Sequence, residues 1–146
     1  MWLAKAGDVS AQLVDDRLVE YIEGLKLEGY VETTFNDNFL MTMQADGTWA
    51  LDATKNNEAI KSKADKFILD VYSELNQRKM MSYMIKLQAK LIASETLSAG
   101  EQATYDFILS VDAWITNVRI IENDAIANNT PLDEVDFTLA GEPPMM

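Results

Sequence analysis

The sequence lacks two residue types on which much protein chemistry depends, because it contains no cysteine and no histidine. Without cysteine there are no disulfides, no thiolate metal ligands and no thiol nucleophiles. Without histidine the chain also loses a common zinc ligand, the usual general base near neutral pH and the Ser/His nucleophile pair. Any catalysis would have to use carboxylates, Lys, Tyr or Ser alone. We therefore predict that the protein is not an enzyme.

Glycine-rich loops and long apolar runs are also missing. The six glycines are scattered, so no loop can cradle a phosphate, and no ATP or dinucleotide cofactor is expected. No stretch approaches the roughly 18 apolar residues of a membrane span, and the N-terminus lacks the apolar run of a signal peptide. The acidic residues do not match the spacing of a calcium loop. We expect no cofactor, no metal and no membrane partner.

Positive charge is scarce overall and concentrated in the middle of the chain. The net charge is −12; residues 1–52 carry ten acids and three bases, residues 53–94 four acids and eight bases, and residues 95–146 ten acids and one base. Acidic flanks repel phosphate, which argues against nucleic-acid binding. The basic middle either folds against an acidic flank, marks where an acidic partner docks, or is an ordinary solvated helix face.

The composition is that of a chain that folds, since 48% of its 146 residues are hydrophobic. The patterns predict an α+β, mainly α fold, with an N-terminal helix, a small antiparallel β-meander, a long helical hairpin and an extended Pro-containing tail. We assign residues 1–52 to the N-terminal helix and meander, 53–128 to the helical hairpin and 129–146 to the acidic tail. We expect these segments to form one compact unit.

The first segment combines helical and strand patterns. Asp8 or Ser10 can cap a helix that ends near residues 24–29. Its apolar residues recur at helical spacing, and they are Val14, Leu18, Tyr21, Ile22 and Leu25. Beyond it, β-prone runs at 30–35, 39–44 and 48–51 predict a meander of two or three strands, with Asp46-Gly47 typical of a tight hairpin turn.

From about Asn56 onward the apolar spacing becomes helical. Apolar stripes within 60–75 and 80–91 flank the polar run 76–79, which fits either a bend or one continuous helix. Ser98 and Glu101 predict a capping box that opens a helix with heptad-like spacing from Phe107 to Ala125. That helix favours a helical hairpin, with intermolecular pairing left open. In the tail, apolar residues alternate as in a docked strand or a partner-binding segment, and they are Val135, Phe137 and Leu139.

Six residues are candidates for contacting a partner protein. Met80 and Met84 share a helical face, and thioethers adapt to varied partners, although the same spacing suits a core. Trp114 and Arg119 belong to residue types enriched at interfaces, although Trp114 also lies on the heptad-like stripe. The remaining two are Trp2, which is close to the N-terminus and hard to bury, and Phe137 in the tail.

Five segments of the second half of the chain are distinctive together, and they are Lys66-Phe67-Ile68-Leu69-Asp70-Val71-Tyr72, Asn76-Gln77-Arg78-Lys79-Met80, Leu97-Ser98-Ala99-Gly100-Glu101-Gln102, Asp112-Ala113-Trp114-Ile115-Thr116-Asn117-Val118-Arg119 and Gly141-Glu142-Pro143-Pro144. These segments resemble small proteins of tailed bacteriophages that are encoded with tail fibres, namely tail-fibre assembly chaperones and related tail accessory proteins. The resemblance covers about residues 66–144 and leaves residues 1–35 without a counterpart. It implies a partner rather than a substrate: a tail-fibre or other tail protein, bound in the host cytoplasm during assembly or kept in the virion tail.

Three other functions remain open on the sequence. A small acidic chain suits a DNA-mimic inhibitor of a DNA-binding enzyme, and the heptad-like helix suits a self-assembling virion module that forms homo-oligomers. A carboxylate-dependent hydrolase would need two acids that converge in a cleft. Salt dependence distinguishes the DNA mimic from a chaperone. Binding by a DNA mimic weakens as the salt concentration rises, whereas binding through apolar burial persists.

Overall fold

A computed structural model describes all residues of the chain, 1–146, and confirms the predicted α+β, mainly α fold. Its contacts divide the chain into two compact units, Met1–Asn56 and Asn57–Met146. The predicted boundary after residue 52 is therefore close to the observed one. The three predicted segments, however, form two units where we expected one.

The first unit, Met1–Asn56, holds a three-stranded antiparallel sheet, a separate two-stranded hairpin and one helix. The elements are β1 (Trp2–Lys5), β2 (Gln12–Leu13), α1 (Val19–Leu27), β3 (Tyr30–Thr33), β4 (Met41–Met43) and β5 (Trp49–Leu51). β1 is the central strand, paired with β2 on one side and β3 on the other. A small core forms where α1 covers this sheet, from Leu3, Val14, Ile22 and Leu25.

The predicted N-terminal helix is wrong in its first half. α1 begins only at Val19, and neither Asp8 nor Ser10 caps it. The Asp8 carboxylate instead accepts the Lys5 backbone N–H at 2.7 Å and closes the turn that follows β1. The chain then returns as β2 beside β1. Pairing with a distant strand therefore overrides the local helical pattern, as tertiary context commonly does.

The predicted meander of two or three strands forms with two strands. β4 and β5 make an antiparallel hairpin around Asp46 and Gly47, as expected, and the Gly47 φ of +86° is one that glycine adopts without strain. A Cβ at Gly47 would also lie 3.1 Å from the Glu32 carbonyl oxygen. β3 does not join this hairpin, because it pairs with β1. The order of strands along the chain is thus not their order in the sheets.

The second unit, Asn57–Met146, holds three helices and a docked tail. The helices are α2 (Ala53–Val71, whose first turn belongs to the first unit), α3 (Glu74–Ile92) and α4 (Ala99–Ala127). α2 and α3 are separated at Tyr72 and Ser73, where the Ser73 side chain accepts the Asn76 N–H. The polar run 76–79 therefore lies in the first turns of α3, and the break precedes it. The predicted capping box of Ser98 and Glu101 is present at the start of α4.

The tail docks as two short 3₁₀ turns, Leu132–Glu134 and Phe137–Ala140, so the predicted extended strand is wrong. Val135 and Phe137 are buried, but Leu139 is 77% exposed, which a strand alternating through these three residues would not allow. No strand runs beside the tail. Its carbonyl groups are instead bonded one by one: Lys63 Nζ donates to Val135 O at 2.5 Å, and Trp114 Nε1 donates to Gly141 O at 2.9 Å.

The main core of the second unit comes from α2, α4 and the tail. Its buried members are Ile60, Ala64, Ile68, Tyr72, Val111, Trp114, Val118, Ala125, Val135, Phe137 and Ala140. None of them belongs to α3. α3, which contributes least to this core, is thus the helix that carries Met80 and Met84, two of the residues predicted to contact a partner.

Candidate functional site

α3 packs against α4 and leaves much of its apolar surface exposed. Leu87 is its single fully buried residue. Its large apolar residues in solvent are Leu75, Met81, Tyr83, Ile85, Leu91 and Ile92. Isolated exposed apolar residues are ordinary in proteins, but two of these, Met81 and Ile85, line a groove beside α4, and exposed apolar residues grouped at a groove are typical of a binding surface.

A groove of about 370 Å³ runs between α3 and α4, and we call it the α3–α4 groove. Its walls are Gln77, Met80, Met81, Met84, Ile85 and Gln88 on α3, and Ile108, Leu109, Val111, Asp112 and Ile115 on α4. Eight of these eleven residues are apolar. The size and the lining match those of sites that bind apolar groups through a few well-placed polar ones.

Helical spacing explains why these residues share one groove. Residues 77, 80, 84 and 88 recur every three or four positions along α3, as do residues 108, 111 and 115 along α4, so each set lies on one helix face. Met81, Ile85 and Leu109 each follow a member of these sets and widen the apolar wall. Three of the eleven residues are methionines, whose flexible thioethers allow the walls to adapt to different contours.

The polar groups of the groove differ in how well they are satisfied. Gln77 Nε2 donates to the Tyr72 carbonyl at 2.7 Å, so that amide already has a partner. Asp112, by contrast, takes part in no ion pair and no side-chain hydrogen bond. It is the only ionisable residue of the lining. One uncompensated negative charge therefore sits at the edge of an apolar groove.

A second, smaller hollow of about 310 Å³ adjoins the start of α3 and the end of the tail. Its walls include Lys79 and Phe107 together with Met145 and Met146, which are both largely exposed. Met80 lines this hollow and the α3–α4 groove. The tail end is held close by the Tyr72 hydroxyl, which donates to the Pro144 carbonyl. Apolar surface therefore continues past Met80 towards the C-terminus.

Of the six predicted contact residues, Met80 and Met84 come together at the α3–α4 groove. Trp114 and Phe137 do not belong to any surface, which corrects the prediction that they contact a partner: both are buried in the main core. Phe67 lies between them, with its ring 5.7 Å from that of Trp114 and 5.8 Å from that of Phe137. The bond from Trp114 Nε1 to Gly141 satisfies the indole donor inside the chain, so the residue needs no outside partner.

Arg119 is engaged within the second unit, and its role as a contact residue stays a prediction. Its guanidinium bonds to Glu122 at 2.6 Å and to Asp65 at 2.6 Å, so it joins α4 to α2. The hydrogen bond to the Glu122 carboxylate is the main cause that raises the pKa of Arg119. Glu122 is only 7% exposed, and a buried carboxylate needs such a cation. Removing Arg119 would therefore disturb the fold before it disturbed a partner.

Trp2 lies on the first unit, on the central strand β1. It is partly buried, its ring is 5.0 Å from that of Phe35, and its cross-strand neighbours are Leu13 and Thr33. Leu13 and Phe35 are exposed. Trp2 thus belongs to a small apolar patch with these neighbours, as well as to the sheet.

Nine of the eleven groove residues were missed as contact candidates, among them Ile85, Leu109 and Asp112. A signal for the apolar ones does exist in the sequence. Adjacent apolar pairs occur at 80/81, 84/85 and 108/109, and one member of each pair lies outside the regular stripe. Such a second apolar residue widens the stripe beyond what one neighbouring helix covers. No comparable signal marks Asp112.

No group of three or more acidic residues is placed to hold a metal ion, and no helix has both the length and the apolar character needed to span a membrane. Comparisons with known protein families, with characterised proteins and with solved structures give no match.

Proposed function

We propose that this protein is a non-enzymatic binding protein that docks a partner protein in the α3–α4 groove. The partner we propose is a phage tail-fibre or other tail protein, which the chain serves as an assembly chaperone or a structural accessory. The observation that supports docking is the exposed apolar groove itself. The nature of the partner rests on the resemblance of residues 66–144 to tail-fibre assembly chaperones.

The mechanism follows from the surface that the groove leaves in water. Burying apolar surface is favourable by about 25 cal/mol per Å², so a partner segment with matching apolar side chains would be held there. A tail protein that has not yet assembled exposes surface of this kind, and covering it prevents wrong contacts. The methionines allow one groove to accept side chains of different shapes.

The test is to express the chain with the proteins encoded beside it and to measure complexes by size-exclusion chromatography with light scattering at low and high salt. We expect a complex with a fibre or tail protein that survives high salt, because its main contribution is apolar burial. Ile85→Asp should weaken this complex by at least about 30-fold, since it places a charge in the apolar groove.

Leu75→Asp is the matched control, because Leu75 is on the same helix and 60% exposed, close to the 62% of Ile85, but does not line the groove. The control should bind as the unmodified chain does. A complex that Ile85→Asp leaves intact would overturn docking in the groove. A salt-sensitive complex with a DNA-binding enzyme would instead support mimicry, and a stable oligomer without any partner would support a self-assembling module.

A further inference from the structure

We infer that the segment bound in the α3–α4 groove is a basic amphipathic helix of the partner, about three turns long. This inference rests on the proposed function and adds the chemistry of the docked segment. Three properties of the groove support it: the nature of its walls, their length, and the charge of Asp112.

The walls determine the conformation of the docked segment. Both walls are α-helices, whose interior N–H and C=O groups are already bonded within the helix. An extended peptide would find no sheet edge to pair with, and its own backbone groups would lose water without replacement. A helix satisfies those groups internally and can place its side-chain ridges between the two walls.

The length of the walls sets the length of the helix. Along α3 the lining runs from Gln77 to Gln88, which is eleven residues of rise. At 1.5 Å per residue this is about 16 Å, or three helical turns. A docked helix would therefore use apolar residues spaced every three or four positions over those turns.

Asp112 determines the charge of the helix. A helix that covers the groove removes water from this carboxylate, and a carboxylate that loses water without a partner is unfavourable. No cation of α3 forms an ion pair with it: Arg78 pairs with Glu74, Lys90 pairs with Glu101, and Lys79 and Lys86 form no ion pair. Lys or Arg on the docked helix would fill this role, with the aliphatic stem lying over apolar residues at the rim. The net charge of −12 also favours the approach of a basic segment.

The experiment uses two synthetic helical peptides of about 14 residues, long enough for three turns. Both carry Leu at spacing that forms one apolar face; one carries Lys beside that face, and the other carries Glu at the same positions. Binding to the full chain is measured by calorimetry at low and moderate salt. We expect the Lys peptide to bind more tightly than the Glu peptide, and Ile85→Asp to abolish binding of the Lys peptide.

Charge reversal in the chain separates a local contact from general attraction. Asp112→Lys should weaken binding of the Lys peptide by about fivefold, which is the effect of one surface ion pair. The same substitution should strengthen binding of the Glu peptide. Asp106→Lys is the matched control, since Asp106 is an exposed acid on α4 that does not line the groove. Asp106→Lys changes the net charge by the same amount, and it should change the affinity for both peptides much less.

Equal effects of the two reversals would overturn the inference, because the attraction would then be general. So would failure of the Lys peptide to bind, or a dimer of the chain alone that Ile85→Asp disperses, since a second copy would then occupy the groove. These results are distinct from a failure of the proposed function. If Ile85→Asp abolishes binding of the natural partner but Asp112→Lys leaves that binding unchanged, docking in the groove is supported and the basic helix is contradicted.

Discussion

Glu101 takes part in two interactions at the start of α4. Its carboxylate accepts the Ser98 N–H at 2.9 Å, which completes the capping box, and it bonds to Lys90 Nζ at 2.6 Å. The bond from Lys90, followed by that from Ser98, lowers the pKa of the Glu101 carboxyl below its ordinary value of 4.5. One residue therefore caps α4 and links it to the end of α3.

We expect this carboxylate to make the fold sensitive to acid. Because its pKa is lower in the folded chain, it stabilises the fold above about pH 4.5, and this stabilisation is lost as pH falls through the folded-state pKa. Glu101→Gln should therefore reduce the decline of the free energy of unfolding below that pH, measured by urea titration at several pH values. Glu58→Gln, at an exposed acid with no ion pair, should leave the decline unchanged. If the free energy of unfolding declines equally steeply with falling pH in Glu101→Gln and in the unmodified chain, this assignment is contradicted.

Trp114 shows at the same scale how a residue type can mislead. Tryptophan is enriched at interfaces because it has a large apolar ring and a polar donor. In this chain Phe67 and Tyr72 pack against the ring, and the Gly141 carbonyl accepts from the donor. The same two properties are therefore used inside the second unit, between α4 and the tail.

Among the elements, the C-terminal tail acts as a third layer of the main core. Its two 3₁₀ turns bury Val135, Phe137 and Ala140 against α2 and α4. Lys63 adds a hydrogen bond to the Val135 carbonyl and lies 5.9 Å from the centre of the Phe137 ring. The tail is thus part of the folded unit and not an appendage to it.

Paired substitutions in the tail test this arrangement. Phe137→Ala should lower the free energy of unfolding by about 3–5 kcal/mol, because it removes a buried ring and leaves a cavity. Leu139→Ala should change it by no more than about 0.5 kcal/mol, because that side chain is in solvent. Guanidinium unfolding of both variants gives the comparison. A similar loss of the free energy of unfolding in both variants would indicate an alternating strand and would contradict the 3₁₀ turns.

At the scale of the whole molecule, charge repulsion acts against the fold. The chain carries 24 acids and 12 bases, and most of its ion pairs are at the surface, where each contributes little. A large net charge of one sign destabilises the compact state. Screening that repulsion should therefore stabilise the protein.

We expect the thermal unfolding midpoint to rise as sodium chloride increases from about 10 mM to about 500 mM, a range over which the screening length falls well below the size of the molecule. Circular dichroism at 222 nm follows the helices during heating and measures the midpoint. A midpoint that falls with salt would mean that partly buried pairs, such as that between Arg119 and Glu122, outweigh the repulsion. A chloride series at fixed pH separates this effect from the titration of Glu101.

The sequence by itself determined those elements whose signals are local. The capping box of Ser98 and Glu101 fixed the start of α4, and the positive φ available to Gly47 fixed the hairpin turn. The heptad-like stripe from Phe107 to Ala125 correctly marked the side of α4 that is buried or partly buried. In each case the interacting groups are within a few residues of one another or repeat with the period of one helix.

Only the tertiary structure decided which distant segments meet. β1 lies between β2 and β3 because backbone pairing across the sheet outweighs the helical pattern of residues 8–18. The tail packs as 3₁₀ turns because donors on α2 and α4 bond its carbonyl groups. The apolar side chains of α3 and α4 repeat with the same helical period whether they are buried or exposed. Only the tertiary structure could therefore show that Met80, Met84 and Ile85 line an open groove. Trp114, in contrast, is covered by other parts of the chain. Periodicity identifies the face of a helix, but the neighbours available in three dimensions determine whether that face is filled.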